Sequence, residues 1–247
     1  MLPYLSRNLH YLSLHTDVEK EAGILIREMK IALTLQKLAY AVFFVVILSL
    51  VRGVAYSNEI GIALEAPMAL LAFTFCADTY AQEIAGKRSE IWRLCPMKKR
   101  MRSIYRRIVI QEMFLLAVAV LGYGLFFLFQ KPSIYGTGQS GLESEICRFF
   151  VYFAAIAVTL GFWGILSNLI SCLFRNMWAG IGGCMALWLI TNSSIGDRAF
   201  GAWNLFSYSL RNSGDSIDFS WVYGKAVCIC IGIAAVAALP EVIRKRG

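Results

Sequence analysis

The chain has 247 residues, of which 58% are hydrophobic and 16% charged, with a mean hydropathy of +0.60 and a formal net charge of +8. So little polar surface excludes a soluble fold of one or two domains: the solvent is mostly lipid. Nucleic acid is excluded as the partner behind the positive charge, because no folded soluble domain presents the basic residues; membrane topology and anionic headgroups account for it.

Residues 1–37 read as a cytoplasmic N-terminal segment with an interfacial helix. The first twenty, MLPYLSRNLHYLSLHTDVEK, hold no uninterrupted apolar core after a basic start, so they do not read as a cleaved signal peptide. Thr16 followed by Glu19 is a capping-box start, the hydroxyl serving one backbone N–H and the carboxylate another. Beyond it Arg27, Lys30, Thr34 and Lys37 recur at steps of three and four, while Leu25, Met29, Ala32 and Leu33 take a different face. Such a helix lies on the membrane and feeds the first span. The alternative is a helix docked on a soluble partner.

A spanning helix needs roughly 20 predominantly apolar residues, because lipid satisfies no backbone polar group. Six stretches within 38–239 qualify as candidates: 38–54, 67–80, 108–130, 149–173, 177–191 and 221–239. Glu65 lies at the outer end of the second, so that span is expected to begin near Ile60 and to be lined partly by protein. The fifth is short. The expected fold class is therefore all-α, a polytopic membrane protein of six transmembrane helices with an N-terminal amphipathic interfacial helix.

Between the spans, 131–144 is a turn-rich Gly/Ser/Pro connection, whereas the outer region 192–220 is too apolar in its middle for a disordered linker. Within it 199–210 is expected to form a short helix that offers Trp203, Leu205, Phe206 and Tyr208 to the interface, with Trp203 and Phe206 as candidates for an outer gate. A surface loop with a few anchoring aromatics is the alternative. Asn192-Ser193-Ser194 matches a glycosylation triplet. Residues 240–247 form a basic tail.

Orientation follows from the bias of Lys and Arg toward cytoplasmic loops. With the N-terminus inside, 18 of the 24 basic residues fall on the cytoplasmic side, nine of them from Lys87 to Arg107. Both termini are thus expected in the cytoplasm.

Several chemistries find no support. Cys76, Cys95, Cys147, Cys172, Cys184, Cys228 and Cys230 have neither CxxC spacing nor a companion His and read as apolar packing, so no metal site is expected. The only histidines, His10 and His15, precede every span, which leaves Ser167 and Ser171 without a base; Ser171 is expected to bond within its helix or to a neighbour. An ion-coupled transporter would more typically place ionisable groups near midplane, whereas Arg52, Glu65, Asp78, Glu112 and Lys225 lie toward span ends. Asp78 and Glu112 are expected to pair with Arg106 or Arg107, a gating role being the alternative. No phosphate-binding GxxxxGK[ST] occurs, since Gly86-Lys87 and Gly224-Lys225 lack the upstream glycine and the following hydroxyl. Gly180, Gly182 and Gly183 suit close helix packing.

The basic region 82–107 is the most informative. If Gln82 to Leu94 is helical, Ile84, Ile91 and Leu94 supply an apolar surface ringed by Lys87, Glu90 and Arg93, and Pro96 stops the helix. Such a rod suits helix-in-groove recognition by a soluble partner; a basic loop touching headgroups is the alternative. The run Glu83-Ile84-Ala85-Gly86-Lys87-Arg88-Ser89-Glu90-Ile91-Trp92-Arg93-Leu94-Cys95-Pro96 resembles the coupling segment of type-2 ATP-binding-cassette (ABC) exporter permeases, though Glu90 follows Gly86 by four positions rather than three. The layout of interfacial helix, six spans and semi-apolar outer hairpin is similar to that family as well.

The resemblance implies that a cytoplasmic coupling helix lies between spans two and three, with Glu83, Gly86, Glu90, Ile91, Leu94 and Pro96 contacting the ATPase. It implies two cytoplasmic ABC ATPase subunits that bind ATP and Mg, and a second permease subunit, identical or related, in a dimer. This chain is then no enzyme and holds no cofactor itself. The implied role is export of a hydrophobic or amphipathic substrate, such as a peptide antibiotic or lipid-linked molecule, across a bacterial plasma membrane. A non-transporting membrane anchor or assembly subunit is the alternative, and an intramembrane enzyme a further one.

Overall fold

The computed structural model describes residues 19, 21–57, 59–80, 95–133, 141–206 and 220–246, without the side chains of 141–145, 148, 220 and 246. These fold as α1 (Glu21–Ala32), α2 (Leu35–Val51), α3 (Glu59–Cys76), α4 (Met97–Gln130), α5 (Gly141–Phe174), α6 (Met177–Thr191), α7 (Ser194–Phe200) with a following 3-10 turn (Gly201–Trp203), and α8 (Ser220–Arg246). The fold is all-helical among the described residues, and the one β-bridge there joins Tyr56 to Ser133.

Local chemistry sets the helix ends. Thr34 leaves the helical region and its hydroxyl caps α2 at the N–H of Lys37, which separates α2 from α1 with a bend of 64°. Asn176 caps α6 at Trp178 N, 3.0 Å away. α4 starts well before residue 108 because its basic first turns are good helix formers that carry the rod beyond the apolar stretch. It stops at Lys131, whose left-handed φ of 46° precedes Pro132. α3 starts at Glu59, close to the expected Ile60, and Pro67 lies inside it rather than at its start.

Among the described residues four helices are long and apolar enough to cross a membrane: Glu59–Tyr80, Met97–Gln130, Phe149–Phe174 and Trp221–Lys245. The bent pair α1 and α2 passes the same test jointly, giving up to five. α6, with 15 residues, is about 22 Å long, short of the roughly 30 Å hydrocarbon core. The chain is therefore a multi-pass, membrane-embedded helical protein.

Two sets of contacts order the helix ends. At one end the α2–α3 turn is stitched to the end of α4: Gln130 donates to the carbonyls of Ser49 and Arg52 and accepts from Val54 N, while Ser57 N reaches Ser133 O. At the other, Tyr80, Met101, Ile104, Ile108, Cys172, Leu239 and Ile243 form a small core. The helices thus alternate in direction. α3 is central, 78% of its apolar window being buried against 28% for α4 and for α8. Phe43, Ile47, Val120, Leu128, Ile229 and Ile233 remain outward, as a lipid-facing surface requires.

The glycines of α6 divide. A Cβ on Gly180 would stand 1.9 Å from Ser171 Oγ and 2.7 Å from Ser167 O, so this position needs glycine for α6 to touch α5. Gly183 meets Ile170 at ordinary contact distance, and Gly182 has nothing within 4 Å.

Candidate functional site

The expected coupling residues Glu83, Gly86, Glu90, Ile91 and Leu94 lie outside the described residues, as does the Thr16 cap. Pro96 is described: extended at φ −54°, ψ 137°, it is the N-cap of α4, and its carbonyl accepts from Lys99 N and Arg100 N. A proline there suits a helix start, since its missing N–H has no intrahelical partner to lose.

Around the helix ends that flank this segment stands a collar of ion pairs. Lys37 of α2 donates to Asp78, just past the end of α3, at 2.5 Å and to Phe75 O in the last turn of α3 at 2.9 Å, with its ammonium 5.0 Å from the Phe75 ring centre. From α1, Glu21 pairs with Arg106 at 2.5 Å and Glu28 with Arg107, while Ser103 adds a 2.5 Å bond to Glu28. Gln111 donates to Ala32 O at the end of α1 and lies 2.8 Å from Thr79 Oγ1. α1, the start of α2, the end of α3 and the start of α4 are thereby tied into one unit.

This corrects the expected pairing. Arg106 and Arg107 take Glu21 and Glu28 because α1 folds back along α4 and offers two carboxylates two turns apart, leaving Asp78 to Lys37. Glu112 gains no arginine: its Oε1 is buried without a hydrogen bond among the described residues, and it lies against Cys76 and the small residues of α5. A Cβ on Gly164 would stand 3.2 Å from both Glu112 Oε1 and Cys76 Sγ. Ser171 departs too: under the close approach of Gly180 its buried Oγ has no hydrogen-bond partner among the described residues.

A second polar cluster lies toward the opposite end. Lys225 of α8 contacts the Glu65 carboxylate of α3, with both side chains almost fully buried, and it donates to Thr159 Oγ1 at 2.8 Å and to Leu205 O at 3.2 Å. Thr159 also stands 2.9 Å from Glu65 Oε1. The two residues were placed toward span ends, and by helix rise they are: about 9 Å into α3 and about 6 Å past Trp221. The sequence reading missed that they meet. Opposite charges at matching depth in two apolar helices were the available signal.

The outer segment differs from expectation. The helix runs Ser194–Phe200, earlier than 199–210, because Ser193 caps its start and Gly201, at φ 51°, ends it. Asn204 then bonds Thr191 O and Asp197, folding the chain inward. Phe206 is consequently buried and stacked on Trp163 at 5.6 Å, whereas Trp203 is 56% exposed and 5.2 Å from Tyr223. The two candidate gate residues do not come together, and Tyr208 lies outside the described residues.

The cluster of Lys225 and the Phe206–Trp163 stack share one strand of chain, since Leu205 O is held by Lys225 while its neighbour Phe206 enters the core. Among the described residues no group of His, Cys, Asp and Glu gathers as metal ligands. No family model, curated protein or solved structure matches the chain.

Proposed function

We propose that this chain is the permease subunit of an ABC exporter, driven by a separate cytoplasmic ATPase that docks on residues 83–96. In this reading α2, α3, α4, α5, α6 and α8 are the six spans, α1 lies on the inner interface, and a second permease subunit completes the route. The solute is hydrophobic or amphipathic, and the membrane is a bacterial plasma membrane.

The observation that carries the reading is the ion-paired collar. Residues 81–94 connect α3 to α4, and Lys37–Asp78, Arg106–Glu21 and Arg107–Glu28 tie those two helices to α1 and α2. A push on the segment therefore reaches four helices instead of two. At the other end Lys225 holds the outer segment through Leu205 O, a place where such a displacement would open or close a route.

Affinity capture of the full chain from its own membranes tests this, with bound ATPase detected by nucleotide photolabelling. Leu94→Asp puts a carboxylate where an apolar anchor is needed, and burying an unpaired charge is costly enough to prevent seating. It is expected to abolish co-recovery of the ATPase while the chain still inserts; Lys99→Ala, beyond the proline, should recover it normally. Equal recovery with Leu94→Asp would reduce 83–96 to a headgroup-binding loop.

A second reading, ion-coupled transport, draws on Glu112 Oε1, buried and without a hydrogen-bond partner among the described residues. It requires no ATPase, so the same capture separates the two.

A further inference from the structure

A cleft of about 700 Å³ opens between α1, α4 and α8 at the collar end of the bundle. Its wall is apolar, made by Leu25, Met101, Tyr105, Val109, Ile110 and Pro240. The Tyr105 hydroxyl donates to Val236 O at 2.8 Å, which spans the gap from α4 to α8 and fixes the ring as part of that wall.

The rim is cationic. Lys98, Arg102 and Arg106 also line the cleft and are spaced four residues apart, so they stand above one another on a single face of α4. Arg106 is held by Glu21, whereas Lys98 and Arg102 are exposed and have no ion pair among the described residues. From Lys98 to Ile110 the cleft follows α4 for about 18 Å, from its charged first turns into its apolar stretch. Cations at headgroup depth above an apolar wall at acyl depth match an amphiphile with a phosphate at one end.

The chain's own segments do not complement that rim. Residues 1–18 carry one Arg and one Asp, and residues 81–94 carry Lys87, Arg88 and Arg93 against Glu83 and Glu90, so neither brings net negative charge. A small soluble anion would leave the apolar wall uncovered. We infer that this cleft binds one anionic phospholipid, its phosphate on Lys98 and Arg102 and an acyl chain along Tyr105, Val109 and Ile110.

The test is binding of phosphatidylglycerol against phosphatidylcholine of the same chain length to the full chain in detergent, read by native mass spectrometry. The wild type is expected to prefer phosphatidylglycerol. Lys98→Gln with Arg102→Gln removes two exposed charges and should weaken that lipid by about 30-fold, at the usual increment per basic residue, with phosphatidylcholine unchanged. Val109→Trp narrows the wall with every charge kept and should also release the lipid, while inorganic phosphate should not displace it. Equal binding of the two lipids by the wild type, no change in the double variant, full retention in Val109→Trp, or displacement by phosphate would each overturn the assignment. None of these outcomes depends on whether an ATPase is recovered.

Discussion

Lys225 places a full positive charge among apolar helices, with its ammonium against Glu65, Thr159 and the Leu205 carbonyl. Removing two ions from water costs several kcal/mol each, which only close pairing and further hydrogen bonds offset. Breaking one side is therefore worse than removing both. Lys225→Met is expected to lower stability by about 3–5 kcal/mol, because it leaves the Glu65 carboxylate buried without its cation, and Glu65→Leu with Lys225→Met should regain most of the loss. Thermal unfolding in mild detergent reads both; a single variant as stable as the wild type would remove this pair from the core. Nothing local in the sequence announces the pair, since its members are 160 positions apart and each is one polar residue in an apolar helix.

At the scale of elements, α1 is held to α4 by two ion pairs of unequal worth. Arg106–Glu21 is largely exposed, with side chains 28% and 56% accessible, whereas Arg107–Glu28 is nearly buried. An exposed pair contributes about 0–1 kcal/mol, and a buried partner left behind costs more. Hydrogen exchange of the α1 amides should therefore accelerate strongly in Glu28→Ala and little in Glu21→Ala; the reverse order would contradict the packing of α1 on α4. The spacing of Arg27, Lys30, Thr34 and Lys37 reads as the face of one helix, whereas Thr34 caps α2 and puts Lys37 beyond the bend, and that spacing did not tell which helix Glu21 and Glu28 would face. The expected pairing of Asp78 and Glu112 with Arg106 or Arg107 failed for that reason: sequence neighbours across residues 81–94 lost to carboxylates arriving from α1. The outer helix was misplaced for a different cause. Its aromatic content was read as interfacial, while Ser193 and Gly201 set the boundaries and Asn204 turned Phe206 inward.

For the whole molecule, composition alone made the all-helical, membrane-embedded character legible, because lipid permits few backbone solutions. Lateral order was not legible. Residues facing lipid and residues facing another helix are both apolar, so Phe43 and Phe73 look alike in sequence although one is exposed and the other fully buried. The alternating helix directions nevertheless put the end of α3, the start of α4 and the α1 collar at one end and the Lys225 cluster toward the other. On the proposed orientation the first end meets the compartment that holds ATP, and native cysteines report it. Cys95 is exposed beside Pro96 at the collar end, Cys147 is exposed near the start of α5 at the opposite end, and Cys76, Cys172, Cys184 and Cys228 are buried. Labelling of intact cells with a membrane-impermeant maleimide, with Cys95→Ser and Cys147→Ser as controls and Cys230 replaced by Ala, is the most direct measurement. Cys147 should react at once and Cys95 only after permeabilisation; reaction of Cys95 from outside would turn the docking segment away from any cytoplasmic motor and contradict the account.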